Sequence, residues 1–202
     1  MIYFDVDSKI KTRKMEDLLD LPQVILVNKF SEESAKLFRE SFAKAINTGQ
    51  KVIPVVIDSY GGEVYSLLSM IATIKNSPVP VATICTGKAM SCGAVLMTFG
   101  AEGMRFADPS ATLMIHDVSS MAWGKVEDIK VKAEETDRLN QMIHHMMAKN
   151  CGKEDSYFLK LADEHKHADW FFDSPEAKGH NIINHIRIPS FKVKVSSEIS
   201  FA

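Results

Sequence analysis

The sequence predicts a single α/β domain in which strand–helix units build a parallel sheet and one long helix follows them. Three observations carry that expectation. β-Branched apolar runs recur at 23–30, 51–59 and 79–87, each is followed by a helical stretch, and glycines punctuate the junctions. A chain of 202 residues has room for one substantial core, and two full domains are disfavoured. With 46% apolar and 25% charged residues, the composition is that of an ordinary folded globular protein.

The elements follow in order. "QVILVNKF" (23–30) reads as a strand, and "SEESAKLFRESFAKAINTG" (31–49) as a helix with Ser31 at its N-cap and Gly49 as its stop. "KVIPVVIDS" (51–59) is a buried strand, and "YGGEVYSLLSMIATIKNSP" (60–78) a glycine turn feeding a helix that ends before Pro78. "VPVATICTG" (79–87) is another strand closed by a glycine turn, followed by a short helix over 91–100. Alternation at this spacing implies parallel pairing with right-handed crossovers. Residues 104–119 hold two brief β-like runs. From Trp123 to Asn150 there is no proline, and Val126, Ile129, Ala133, Thr136, Leu139, Ile143 and Met146 recur three or four apart, which is the period of a long amphipathic helix. Cys151-Gly152 ends it, a second helical stretch covers 153–167, and the tail "FKVKVSSEISFA" (191–202) alternates like an edge strand or a flexible end.

Several function classes are disfavoured. A net charge of −2 supplies no field for phosphate backbones, so nucleic acid is not an expected partner. No window approaches the roughly twenty apolar residues that span a bilayer, and the first residues, with acids among them, do not read as a secretion signal. Cys85, Cys92 and Cys151 are odd in number and lack metal-ligand spacing, which fits a reduced cytoplasm.

The turns at the strand ends could carry chemistry. Asp58-Ser59-Tyr60-Gly61-Gly62 follows a strand and opens a helix, so its backbone N–H groups can approach a ligand without a Cβ in the way. Ser91 opens the next helix, where developing negative charge is favoured. The carboxyl ends of parallel strands are where ligands collect, so both turns should face one crevice. A serine nucleophile needs a base and an orienting group. His116, ending "TLMI", is the candidate base, and Asp169, before Trp170-Phe171-Phe172, could orient it. On Ser-Cys-Gly-Ala alone a plain helix cap is the favoured reading of Ser91. Lys88 raises a Ser-Lys dyad as a variant, and Asp117 competes with Asp169, although adjacent strand residues face opposite ways. His144-His145 and His165-Lys166-His167 lack metal-site spacing and are expected to be surface histidines.

"DSYGG", "GKAMSCGAVLMTFGAEGMRFADPSATLMIH" and "DWFFDSPEAKGHNIINHI", in that order, resemble the proteolytic subunit of the Clp protease, ClpP, over about Asp17 to Ile188. The resemblance implies the ClpP/crotonase-like fold of repeated β-β-α units. A head (about 17–121 and 168–190) would carry a protruding helical handle (about 122–167), with a tail beyond 190. It implies a serine endopeptidase with nucleophile Ser91, base His116, third member Asp169, and an oxyanion hole at the N–H groups of Gly62 and Cys92. It further implies two stacked heptameric rings enclosing the sites, polypeptide substrates, no cofactor or metal, and ATP only through a Clp-type AAA+ unfoldase.

The chain departs from that pattern in places. Tyr60 stands where the family usually has proline, "HDVSSMAWG" replaces Gln-Pro and glycines after the histidine, and residues 1–16 replace a longer gating segment. Trimmed relatives in viruses of bacteria mature capsids, which is one alternative role. An acyl-CoA hydratase or isomerase on the crotonase-like fold and a non-catalytic scaffold are the others.

Overall fold

A computed structural model describes residues 22–191; the readings for residues 1–16 and for the tail beyond Phe191 lie outside them. The predicted alternation is present. β1 (Ile25–Val27), α1 (Glu32–Asn47), β2 (Ile53–Ser59), α2 (Val64–Lys75), β3 (Val81–Met90) and α3 (Cys92–Met97) succeed one another. Then come β4 (Arg105–Ala107), β5 (Thr112–Ile115), α4 (Val126–Asn150), α5 (Tyr157–Glu164), β6 (Trp170–Asp173), α6 (Ser174–Gly179) and β7 (His185–Ile186). Ser31 caps α1 as its sequence predicts: its hydroxyl accepts from the Ser34 N–H while the Ser34 hydroxyl accepts from the Ser31 N–H. This reciprocal pairing satisfies two orphan donors of the first turn.

β1, β2, β3, β4 and β7 run parallel in that spatial order, and β5 joins β3 in parallel. Two details differ from the expectation. β5 and β6 pair antiparallel, Thr112 with Asp173 through Ile115 with Trp170, so the sheet is mixed. Gly87 does not end its strand: β3 pairs with β4 at Thr83–Cys85 and then with β5 at Lys88–Met90, so the sheet forks there. A β-carbon on Gly87 would lie 3.2 Å from Asp58 Oδ1. The glycine gives room to a carboxylate that Lys88 Nζ holds at 2.7 Å, rather than marking a turn.

The core lies between the sheet and its helices. Phe30, Phe42, Leu67, Leu96, Leu113, Met147 and Phe158 are fully buried in it, which is the main driving force for the fold. On α4 the apolar stripe is covered only from Leu139 onward, through Ile143 and Met147; Val126, Ile129 and Val131 nearer its start are exposed. Glu135 on α4 accepts hydrogen bonds from Arg138 and from the Tyr65 hydroxyl of α2, and these, Arg138 foremost, hold its carboxyl down at about 2. Among the described residues no helix is long and apolar enough to cross a membrane.

All three cysteines are buried and free, and burial above all pushes their thiols up, Cys85 to about 12 and Cys92 and Cys151 to about 11. Because the thiolate is the reactive form, the native protein should give no titratable thiol with a disulfide reagent at pH 7.5, and denaturant should expose all three. Rapid native reaction of any of them would contradict this packing.

Candidate active site

Ser91 joins β3 to α3 with φ 53° and ψ −122°, a region that non-glycine residues seldom enter and that must be held by its surroundings. The hold is visible. Its N–H donates to the Met114 carbonyl of β5 at 2.8 Å, and its carbonyl accepts from Val95 of α3. The helix-cap reading fails, because the Ser91 side chain makes no capping bond. Ser91 lines a cavity of about 260 Å³ together with Tyr60, Gly62, Cys92 and His116, with Val64, Val95 and Ile143 as apolar wall. A larger groove of about 790 Å³ near Arg105 contains none of the candidate residues.

The glycine turn is pressed against this serine. Phe30 donates its N–H to the Gly61 carbonyl and accepts from the Glu63 N–H, forming an isolated parallel bridge with Gly62. Gly62's own N–H takes no part in that bridge. Cys92 Sγ donates to the Gly62 carbonyl at 3.2 Å, which ties the turn to the first residue of α3. Both glycines have positive φ, 108° and 147°. A β-carbon on Gly61 would lie 2.7 Å from Ser91 Cβ, and one on Gly62 would lie 2.3 Å from the Phe30 carbonyl oxygen. Only glycine permits this approach. The N–H of Cys92, in the first turn of α3, has no intrahelical acceptor.

His116 follows β5 directly and lines the same cavity. Asp169 is not among the lining residues, and its side chain is exposed and unbonded among the described residues. The two are nonetheless related by register. The antiparallel ladder ends at Ile115 opposite Trp170, and the same register continued by one residue sets His116 opposite Asp169. Directly opposed residues have β-carbons about 4.5–5.5 Å apart where a ladder persists. Four of the five predicted residues, Ser91, His116, Gly62 and Cys92, thus line one cavity, and Asp169, outside that lining, directly precedes the Trp170 that ends the ladder.

The competing groups are occupied elsewhere. Lys88 gives its ammonium to Asp58 and lies 4.4 Å from the Tyr60 ring centre; the Asp58 hydrogen bond raises its pKa, which disfavours it as a base for Ser91. Asp117 accepts from Asn140 Nδ2 at 2.9 Å and pairs with His167 Nδ1 at 2.6 Å. Burial alone would raise its carboxyl, but these two bonds hold it below the usual carboxylate value. His144 is not a surface histidine: it is fully buried and lines the cavity. Its Nδ1 donates to the Asn140 carbonyl at 2.9 Å and its Nε2 has no hydrogen-bond partner among the described residues, and burial lowers its pKa, which favours the neutral imidazole. Its place beside Ile143 on the covered stripe was the one sequence signal for this. The remaining doublet and triplet histidines form no metal cluster; among the described residues no group of three or more His, Cys, Asp or Glu is disposed to hold an ion.

Replacing Gly62 by alanine forces a methyl group onto the Phe30 carbonyl in a backbone region alien to side chains. We expect Gly62→Ala to lose roughly 1–3 kcal/mol or more of unfolding free energy, read by denaturant melts; an unchanged midpoint would refute the close approach. Residues 7–189, nearly the whole chain, match the family model described as Clp protease.

Proposed function

The chain belongs to the Clp protease family, and on that premise we propose that this peptidase is a serine endopeptidase using Ser91, His116 and Asp169. The observation that carries the reading is Ser91 itself: a hydroxyl in a strained, firmly held backbone position, free of any cap, sharing a cavity with an imidazole. Strain of this kind is maintained where geometry matters more than local comfort. His116 takes the Ser91 proton as Oγ attacks the peptide carbonyl. The N–H groups of Gly62 and Cys92 hold the resulting oxyanion, and His116 then passes its proton to the departing amine. Water attacks the acyl-serine by the same route. Asp169, one residue before Trp170 as His116 is one residue after Ile115 at the last pair of the ladder, fixes the imidazole tautomer and stabilises the imidazolium. Each oxyanion donor contributes roughly a hundred- to a thousandfold in rate.

The head and handle division and an enclosed oligomer belong to the same proposal. Met121 and Trp123 ahead of α4 are about 80% exposed, and Val126 and Val131 are well over half exposed. An apolar strip of that length on a projecting helix is supported best as a surface covered by further copies of the chain. Two stacked heptameric rings, with an AAA+ unfoldase supplying unfolded polypeptide, are the arrangement the family resemblance implies.

Ser91→Ala should abolish cleavage of a fluorogenic peptide and labelling by a fluorophosphonate, while the sedimentation coefficient stays that of the wild type. Undiminished hydrolysis by the variant would remove the serine from the mechanism. The wild type should sediment well above the 22.6 kDa chain mass at micromolar concentration, and a monomer throughout would remove the chamber.

A further inference from the structure

The β5–β6 ladder stops one rung short of the residues it must bring together. Beyond Ile115 opposite Trp170, no further strand pair holds His116 against Asp169. What fastens the two chains past that point is a set of side chains. His167 Nδ1 meets Asp117 Oδ2 at 2.6 Å and His167 Nε2 meets Asp163 Oδ1 at 2.9 Å. The other Asp117 oxygen accepts from Asn140 Nδ2, and Asn140 Oδ1 accepts from the Val118 N–H, each at 2.9 Å. The bridge therefore joins the loop after β5, the middle of α4, the end of α5 and the turn into β6.

We propose that Asp117 and His167 are positioning residues for the His116–Asp169 couple, clamping the chain one residue past the base to the chain two residues before the orienting carboxylate. The proposal rests on the serine peptidase reading above. It adds a device outside the triad: Asp117 lines the edge of the same cavity, whereas His167 does not. Its geometry is specific. His167 and the preceding Lys166 both have φ 56°, a left-handed conformation uncommon for residues with side chains, so the turn delivering Asp169 is one that surrounding bonds must hold. Backbone bonds to Asp163 and Ala162 hold it from α5, and the imidazole is the side-chain tie to the His116 segment.

An imidazole between two carboxylates is held best as the imidazolium. The titratable groups facing it are Asp117 from the loop after β5 and Asp163 from α5, while α4 contributes the uncharged Asn140 and, facing Asp117, His144, whose pKa burial lowers. The Asp117 hydrogen bond, then its charge, raises the His167 pKa above the ordinary histidine value. The sign follows: the full ion pair is present below about pH 6.5, the unperturbed value, and is lost as pH rises through the raised pKa of the folded protein. Peptidase activity should therefore fall at higher pH as the clamp loses its charge.

The test compares pH profiles of kcat and KM on a fluorogenic peptide for the wild type, His167→Gln and His167→Arg. Displacing a catalytic group slightly costs up to about a hundredfold. His167→Gln should lower kcat roughly ten- to a hundredfold with little change in KM and should lack the fall at high pH. His167→Arg, a permanent cation, should retain more of the rate than His167→Gln and also lack that fall. A His167→Gln profile superimposable on the wild type would overturn the proposal. An NMR titration of the ring carbons, read against Asp117→Asn, tests the clamp without activity. His167 should titrate above the ordinary value in the wild type and return toward it in the variant; identical titrations would overturn the clamp even if the enzyme is active. A wild type that neither hydrolyses peptide nor takes a fluorophosphonate, yet shows the displaced His167 titration, would instead sink the peptidase reading and leave the bridge as observed chemistry.

Discussion

The close approach of the Gly61-Gly62 turn to Ser91 is the constraint on which the rest of the site depends. Gly61 can come this near Ser91, and Gly62 this near the Phe30 carbonyl, only because both lack a β-carbon and accept positive φ. The approach is fixed from both sides: Phe30, fully buried, anchors the turn to the start of α1, and the Cys92 thiol anchors it to α3. Ser91 is fixed in turn by the Met114 carbonyl. Three strands and two helices thus converge on a few atoms, and the unusual φ at Ser91 follows from that convergence rather than from the serine's own preference.

Much of this was readable in the chain. Local signals served wherever one residue type decides local geometry: Ser31 before an acidic first turn marked the cap of α1, and paired glycines marked the turn. Ser91, His116, Gly62 and Cys92 were legible as candidates, and they share a cavity. Signals failed where the deciding partner lies far away in sequence. Gly87 resembles a turn glycine until the Asp58 carboxylate is placed beside it. His144 resembles half of an exposed doublet because helical period alone does not reveal which flank of the stripe α4 turns inward. The antiparallel β5–β6 pair is non-local in the same sense, joining residues more than fifty positions apart, and the Asp117–His167 bridge depends on it.

The histidines illustrate how one side-chain type is divided by surroundings. His144, buried and bonded to a carbonyl, has its pKa lowered by burial; His167, exposed but set between carboxylates, has its pKa raised by them, Asp117 foremost. His165 is spent on a stack against Trp170 with ring centres 4.7 Å apart. His116, by contrast, carries no side-chain hydrogen bond among the described residues and lines the cavity that Ser91 also lines.

The exposed stretch ahead of α4 also has an optical consequence. The chain has two tryptophans, and they occupy opposite environments: Trp170 is buried within the β6 aromatic stack, whereas Trp123 is about 80% exposed. One indole therefore emits from an apolar interior and the other from water. Any process that covers the start of α4 changes the second while leaving the first untouched, so the protein carries its own internal reference and its own fluorescent gauge of what happens at that surface.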